Sequence, residues 1–160
     1  MQKQNNRRYG NMASTVVAAF VSGGLLNYLN VGDSRFYLFR DGRIILQSRD
    51  HSMTQMSVDL GEIRQSQMRF HEDRNRLTKV LGLDETLRIG ERFEPFPVET
   101  GDAFLMCTDG FWEYIDERHM QKLLRRSETP QQWMDAMIRA ISRSVRENND
   151  NLSAVCAMVR

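Results

Sequence analysis

These 160 residues lack a zinc-type cysteine spacing, a membrane-length apolar run, a nucleotide-binding loop and any strong excess of one charge. The only two cysteines, Cys107 and Cys156, sit inside apolar strand-like runs. They read as buried small hydrophobes in a reducing compartment. No apolar stretch approaches a signal h-region or a membrane span, which predicts a soluble, cytoplasmic chain. A cysteine-phosphatase loop, a Gly-x-Ser-x-Gly elbow and a Walker loop are all absent, which removes the thiol, serine and nucleotide-binding routes. A net charge of +1 with 27% charged residues argues against a nucleic-acid-binding surface as the main business. Carboxylates are missing from the start of the chain, the first being Asp33.

What is present is ordinary globular chemistry, 41% hydrophobic, in a length that suits one domain with its own core. Residues 1–12 are rich in Gln, Asn and Arg without periodicity and read as a poorly ordered tail, leaving 13–160 as the folded domain. Residues 14–21, 25–31, 35–40 and 43–48 read as strands joined by Ser22-Gly23-Gly24, Gly32-Asp33-Ser34 and Asp41-Gly42 turns, which predicts a four-stranded antiparallel meander. Ser52 then caps a short helix carrying Met53, Met56 and Leu60, with Gly61 at its C′ position. The lobe at 57–76 becomes mostly polar, with modest packing expected from Ile63, Met68 and Phe70. Residues 77–83 and 87–98 read as strands, the second pushed to an edge by Pro95 and Pro97.

In the C-terminal half, 103–107 reads as a strand buried on both faces. Asp116 caps a helix with Ile115 as staple and Met120, Leu123 and Leu124 inside. Thr129, Pro130 and Gln132 introduce a clearer helix whose stripe is Trp133, Ala136, Met137, Ala140, Ile141 and Val145. Its Arg139, Arg143 and Arg146 read as a solvated face. Residues 148–151 form a loop before a last strand at 152–159, apolar on both faces.

The strongest chemical signal is Thr108-Asp109-Gly110 at the end of the 103–107 strand. By itself it reads either as a turn aspartate or as a carboxylate held at a strand mouth for Mg²⁺ or Mn²⁺, with Gly110 letting backbone or ligand approach. Asp150 lies just before the last strand. If the two strands are antiparallel neighbours, Asp109 and Asp150 share an edge and make a half-built divalent-cation site. Such a cation lowers the pKa of a bound water, so phosphoester hydrolysis is the natural reaction class.

Five segments then carry a resemblance: Asn30-Val31-Gly32-Asp33-Ser34-Arg35, Asp50-His51-Ser52, Leu77-Thr78-Lys79-Val80-Leu81-Gly82, Thr108-Asp109-Gly110-Phe111-Trp112 and Asp150-Asn151-Leu152-Ser153. In order and spacing the chain resembles the bacterial type 2C family of metal-dependent protein serine/threonine phosphatases, from about Ala13 to the C-terminus. The resemblance implies an α+β fold, a two-layer antiparallel β-sandwich flanked by helices (α/β/β/α), here incomplete at its N-terminal strands. It implies hydrolysis of phosphoserine or phosphothreonine by metal-activated water, with Mg²⁺ or Mn²⁺ as cofactor. Asp109 and Asp150 match metal ligands, and Asp33 matches a ligand of an accessory third metal. Gly32, Gly110 and Asn151 stand beside the site, and the 57–76 lobe matches the flap next to it. Implied partners are phosphoproteins and a cognate serine/threonine kinase, with no nucleic acid and no membrane.

The chain also departs from the family pattern. The N-terminal portion with the phosphate-binding arginine and the Asp-Gly-x-Gly-Gly segment, whose aspartate bridges two metals, has no counterpart, and Ala13 stands where glycine is usual. Two readings follow: the C-terminal portion of a phosphatase, weak or inactive alone, or a non-catalytic module that binds a phosphoprotein or kinase. Strands left without their N-terminal neighbours are expected to form a homodimer or to bind the missing segment in trans.

Overall fold

Alternating apolar residues and short glycine turns build the first two hairpins, as the sequence predicts. The computed structural model describes residues 12–82, 95–144 and 150–160. Strand β1 (Val16–Ser22) pairs antiparallel with β2 (Leu25–Val31), Val16 opposite Val31, and β3 (Arg35–Arg40) pairs with β4 (Arg43–Gln47). The expected meander does not form, because β2 and β3 belong to different sheets. The chain leaves the first sheet at Gly32, whose φ of +99° strains any L side chain and whose missing Cβ would stand 2.3 Å from the Thr15 side chain. Local alternation does not say which sheet a strand joins, and β3, buried from Arg35 to Phe39, needs a partner on each side.

After β5 (Phe96–Pro97) and β6 (Ala103–Cys107), the chain ends in β7 (Ala154–Met158). The sheets run β1-β2-β5 and β4-β3-β6-β7. Pro97 lies at the predicted edge, paired with Leu25, while the rest of the 87–98 reading falls mostly outside the described residues. The other predicted strand, at 77–83, is reduced to isolated bridges, Ser52 to Leu77 and Ser14 to Leu81. Its polar Thr78 and Lys79 leave too little apolar alternation to sustain a ladder.

Period-two alternation divides the core in two. Leu26, Phe36 and Leu38 pack between the sheets with Tyr28, Phe96, Phe104 and Met106. On the other face of the four-stranded sheet, Tyr37, Phe39, Ala103, Leu105 and Cys107 meet helices α2 (Asp109–Trp112), α3 (Glu117–Leu124) and α4 (Pro130–Ile141). Each such large apolar side chain contributes about 1.5–3 kcal/mol on burial. The caps act as predicted: Asp116 accepts from the His119 N–H at 2.7 Å and Thr129 from the Gln132 N–H at 3.2 Å. Gln132 does not complete the expected capping box on the Thr129 N–H but reaches one residue further back, to the Glu128 N–H. Trp133 locks α4 to α3 by donating to the Met120 carbonyl at 3.1 Å while its ring meets Phe39 edge-on at 5.0 Å.

Two burial expectations fail. Helix α1 (Met53–Asp59), capped by Ser52, buries Thr54 and Gln55 and leaves Met53, Met56 and Leu60 exposed, because Gln55 bonds Asp59 and Thr54 bonds Ser52. In the lobe, a 3₁₀ turn at Gln65–Phe70 buries Met68 but leaves Phe70 exposed. Strand β7, apolar on both faces and expected to keep an exposed edge or face, is an edge with Val155 62% exposed. Phe20 and Leu25 on the three-stranded sheet are likewise exposed. The predicted tail at 1–12, apart from Met12, lies outside the described residues, as do Val145, Arg146 and the 148–149 part of the last loop. Among the described residues no helix is long and apolar enough to cross a membrane.

Candidate metal centre

Strand pairing brings the two C-terminal aspartates together. β6 and β7 are antiparallel neighbours with Cys107 opposite Ala154, so the residues following β6 and those preceding β7 lie at one end of the sheet. Asp109 does more than terminate a strand: it opens the one-turn helix α2, and its Oδ1 accepts the Gly110 N–H at 2.8 Å. Gly110 is required here by space. A Cβ would stand 2.7 Å from the Asn151 carbonyl oxygen and 3.3 Å from the Asp150 Cβ, so only glycine lets the α2 corner meet the 150–151 loop this closely.

Asp33 joins from the turn between the sheets. Burial, then Asp109 and Asp50, raise its carboxyl, while a backbone hydrogen bond and Arg35 offset part of the rise, so that it is pushed up to about 7. The turn is held from three sides. Trp112 Nε1 donates to the Asp33 carbonyl at 2.9 Å, the His51 N–H to the Gly32 carbonyl at 2.8 Å, and the Ser34 and Thr15 hydroxyls bond at 2.8 Å.

Sequence reasoning assigned no role to several neighbours. Glu113, one turn after Asp109, is raised by burial and by Asp109 and Asp150, with Arg74 opposing. Its i+4 spacing from Asp109 was the available signal. Arg35 makes a buried bidentate pair with Asp50, at 2.9 and 2.7 Å, and its guanidinium carbon lies 3.4 Å from the Trp112 ring centroid. The Gly-Asp-Ser-Arg and Asp-His-Ser segments therefore meet through this ion pair. Beside them Arg49, Asp50, His51, Ser52, Gln55 and Thr78 help line a cleft of about 310 Å³.

Among the described residues no three His, Cys, Asp or Glu side chains form a set able to hold a metal ion. The aspartates fit part of a donor set: hard oxygen ligands, crowded enough that one resists ionising without a cation.

Comparison with known proteins shows the family. The sequence profile of a family described as protein phosphatase 2C matches residues 1–155. The serine/threonine phosphatase stp of Listeria monocytogenes is 30% identical over 127 residues, 79% of this chain and 50% of that protein. The chain thus spans about half the length of the relatives it matches. The crystal structure of Stp1 from Staphylococcus aureus superposes with a TM-score of 0.78 at 26% identity, over 98% of this chain and 60% of that one. The catalytic domain of PstP in complex with two manganese ions, at 24% identity, shares the fold with a TM-score of 0.70 over 94% and 61% of the two chains. With the sandwich, the ordered motifs and the profile in agreement, the chain belongs to the protein phosphatase 2C family of metal-dependent phosphatases.

Proposed function

We propose that this chain carries part of the metal site of a protein serine/threonine phosphatase acting on phosphoserine and phosphothreonine, with Asp109 and Asp150 as ligands and Asp33 as an accessory ligand. The observation that carries the reading is the surplus of carboxylate at one end of the four-stranded sheet. Asp33 is pushed to about 7 beside Asp109, and the close approach at Gly110 packs Asp150 against the same corner. Such crowding is costly unless a cation relieves it. Mg²⁺ and Mn²⁺ both suit these oxygen donors. When bound, the cation supplies a water of lowered pKa and neutralises charge on the phosphoryl oxygens.

The chain's own residues do the holding. Gly110 N–H fixes one Asp109 oxygen, Trp112 fixes the Asp33 carbonyl, and Arg35 cancels the Asp50 charge, leaving Asp33, Asp109 and Asp150 as the carboxylates that would hold a cation. The partial donor set supports weak turnover by this chain alone. Its partners are phosphoproteins, a cognate kinase among them, in the cytoplasm. Exposed Phe20, Leu25 and Val155, together with an apolar groove of about 460 Å³ between α4 and β7, support pairing with a second copy or with an N-terminal segment in trans.

Calorimetric titration with Mn²⁺ tests the site: loose binding of one ion is expected, lost in Asp109→Ala and Asp150→Ala. Identical heats in wild type and Asp150→Ala would refute the ligand assignment. On p-nitrophenyl phosphate with Mn²⁺, slow turnover is expected, and robust turnover would refute the partial-site reading. Light scattering at several concentrations tests association, against which a concentration-independent monomer would count.

A further inference from the structure

The 57–76 lobe is mostly polar and keeps little apolar surface for docking, Met68 being buried and Phe70 exposed. Its base is pinned by the Ser52–Leu77 bridge and by the Thr78 N–H donating to the His51 carbonyl at 2.8 Å. Two arginines hold the rest. Arg74 Nε stands 3.3 Å from Glu113. Arg69, with its side chain only 9% exposed, donates Nη1 to the Ile115 carbonyl at 3.1 Å and Nη2 to Glu117 Oε1 at 2.5 Å.

Arg69 does not end there. The same Glu117 oxygen accepts from Tyr37 Oη at 3.2 Å and from Arg35 Nη1 at 3.4 Å, and Arg35 is the bidentate partner of Asp50. The guanidinium carbons of Arg35 and Arg69 lie 3.4 and 5.5 Å from the centroid of the Trp112 ring. The indole N–H of that ring holds the Asp33 carbonyl. One carboxylate and one ring thus join the lobe, β3, α3 and the Asp33 turn in a cluster whose arginines are buried while Glu117 is 29% exposed, so that its contacts are partly shielded from water.

We propose that Arg69 is a positioning residue: it latches the 57–76 lobe to Glu117 and the Ile115 carbonyl and, through Trp112, sets the position of the Asp33 turn. A lobe held only to seal the surface would need Glu117 or the carbonyl. Contact with the ring that holds Asp33 makes the lobe and the carboxylate cluster parts of one packed unit.

The test compares Arg69→Met, Glu117→Gln and Arg69→Lys in the full chain, with Arg40→Met as a control that breaks a carboxylate pair at the opposite end of β3. Hydrogen exchange reads the lobe, the Trp112 indole N–H resonance reads the Asp33 turn, and Mn²⁺ titration reads the cluster. In Arg69→Met, exchange over 57–76 should rise roughly tenfold or more, the indole resonance should shift, and Mn²⁺ should bind about three- to tenfold more weakly. Glu117→Gln should follow it in part. Arg69→Lys should restore lobe protection better than the indole shift, since an ammonium can still pair with Glu117 but lacks the planar guanidinium that lies by the Trp112 ring. Arg40→Met should move none of the three. The proposal is overturned if Arg69→Met frees the lobe while the indole resonance stays in place, or if the lobe stays protected. The Mn²⁺ arm rests on the cation reading above; a wild-type chain that binds no Mn²⁺ counts against that reading, and exchange and the indole resonance then decide the latch.

Discussion

Strand β3 begins and ends with an arginine, and the two ends could hardly differ more. At the far end Arg40 forks onto Asp102 at 2.9 and 2.8 Å, pairs with Glu99, and donates to the Pro97 carbonyl. Burial would raise the Asp102 carboxyl, but the Arg40 hydrogen bonds outweigh it and hold the group below the usual carboxylate range. At the near end Arg35 forks onto Asp50 with the same geometry, yet carboxylates remain without guanidinium partners: among the described residues no ion pair is made by Asp33, Asp109 or Asp150. The lesson is that a strand-end ion pair is a fastener when its charges close on themselves. Where carboxylate is left over, the arrangement is unfavourable, and a cation of the kind proposed above would relieve it.

The largest test of this contrast removes each arginine. Arg35→Met leaves Asp50, only 5% exposed, uncompensated, and should cost about 3–5 kcal/mol. Arg40→Met should cost less, about 1–3 kcal/mol, because that arginine is partly solvated. Urea unfolding midpoints measure both, and an equal loss would erase the distinction.

The two ends should also titrate in opposite senses. Asp33 has a folded pKa raised to about 7, so without metal its contribution is intact below about pH 4 and is lost as pH rises through 7. Asp102 is depressed, so its contribution is present above about pH 4 and is lost as pH falls further. Asp33→Asn should therefore stabilise the metal-free chain at pH 8 by about 1–3 kcal/mol while weakening Mn²⁺ binding. Asp102→Asn should destabilise it at the same pH. Denaturation series at pH 5 and pH 8 read both signs, and destabilisation by Asp33→Asn would contradict the surplus-charge account.

Gly110→Ala tests the site end by space rather than charge. The added carbon meets the Asn151 carbonyl, so a cost of about 1–3 kcal/mol and weaker Mn²⁺ binding should appear together. The smallest effect belongs to neither end: Val155→Lys on the exposed β7 edge should change stability by less than about 0.5 kcal/mol yet reduce association in light scattering.

Much of this was legible from the residues alone. Ser52, Asp116 and Thr129 announced three helix starts because a cap is a local bond between a side chain and an N–H three residues on. Strands β1 to β4 followed from alternation and glycine turns, and the antiparallel placement of Asp109 and Asp150 was stated as a condition that β6–β7 pairing meets. Tertiary structure alone decided which sheet each strand joined, since Gly32 redirects the chain and alternation is blind to partner choice. It alone decided that α1 buries its polar side. The cluster of Arg35, Arg69, Trp112 and Glu117 was invisible in sequence, because it joins residues up to 82 positions apart whose only common property is the place where the fold sets them.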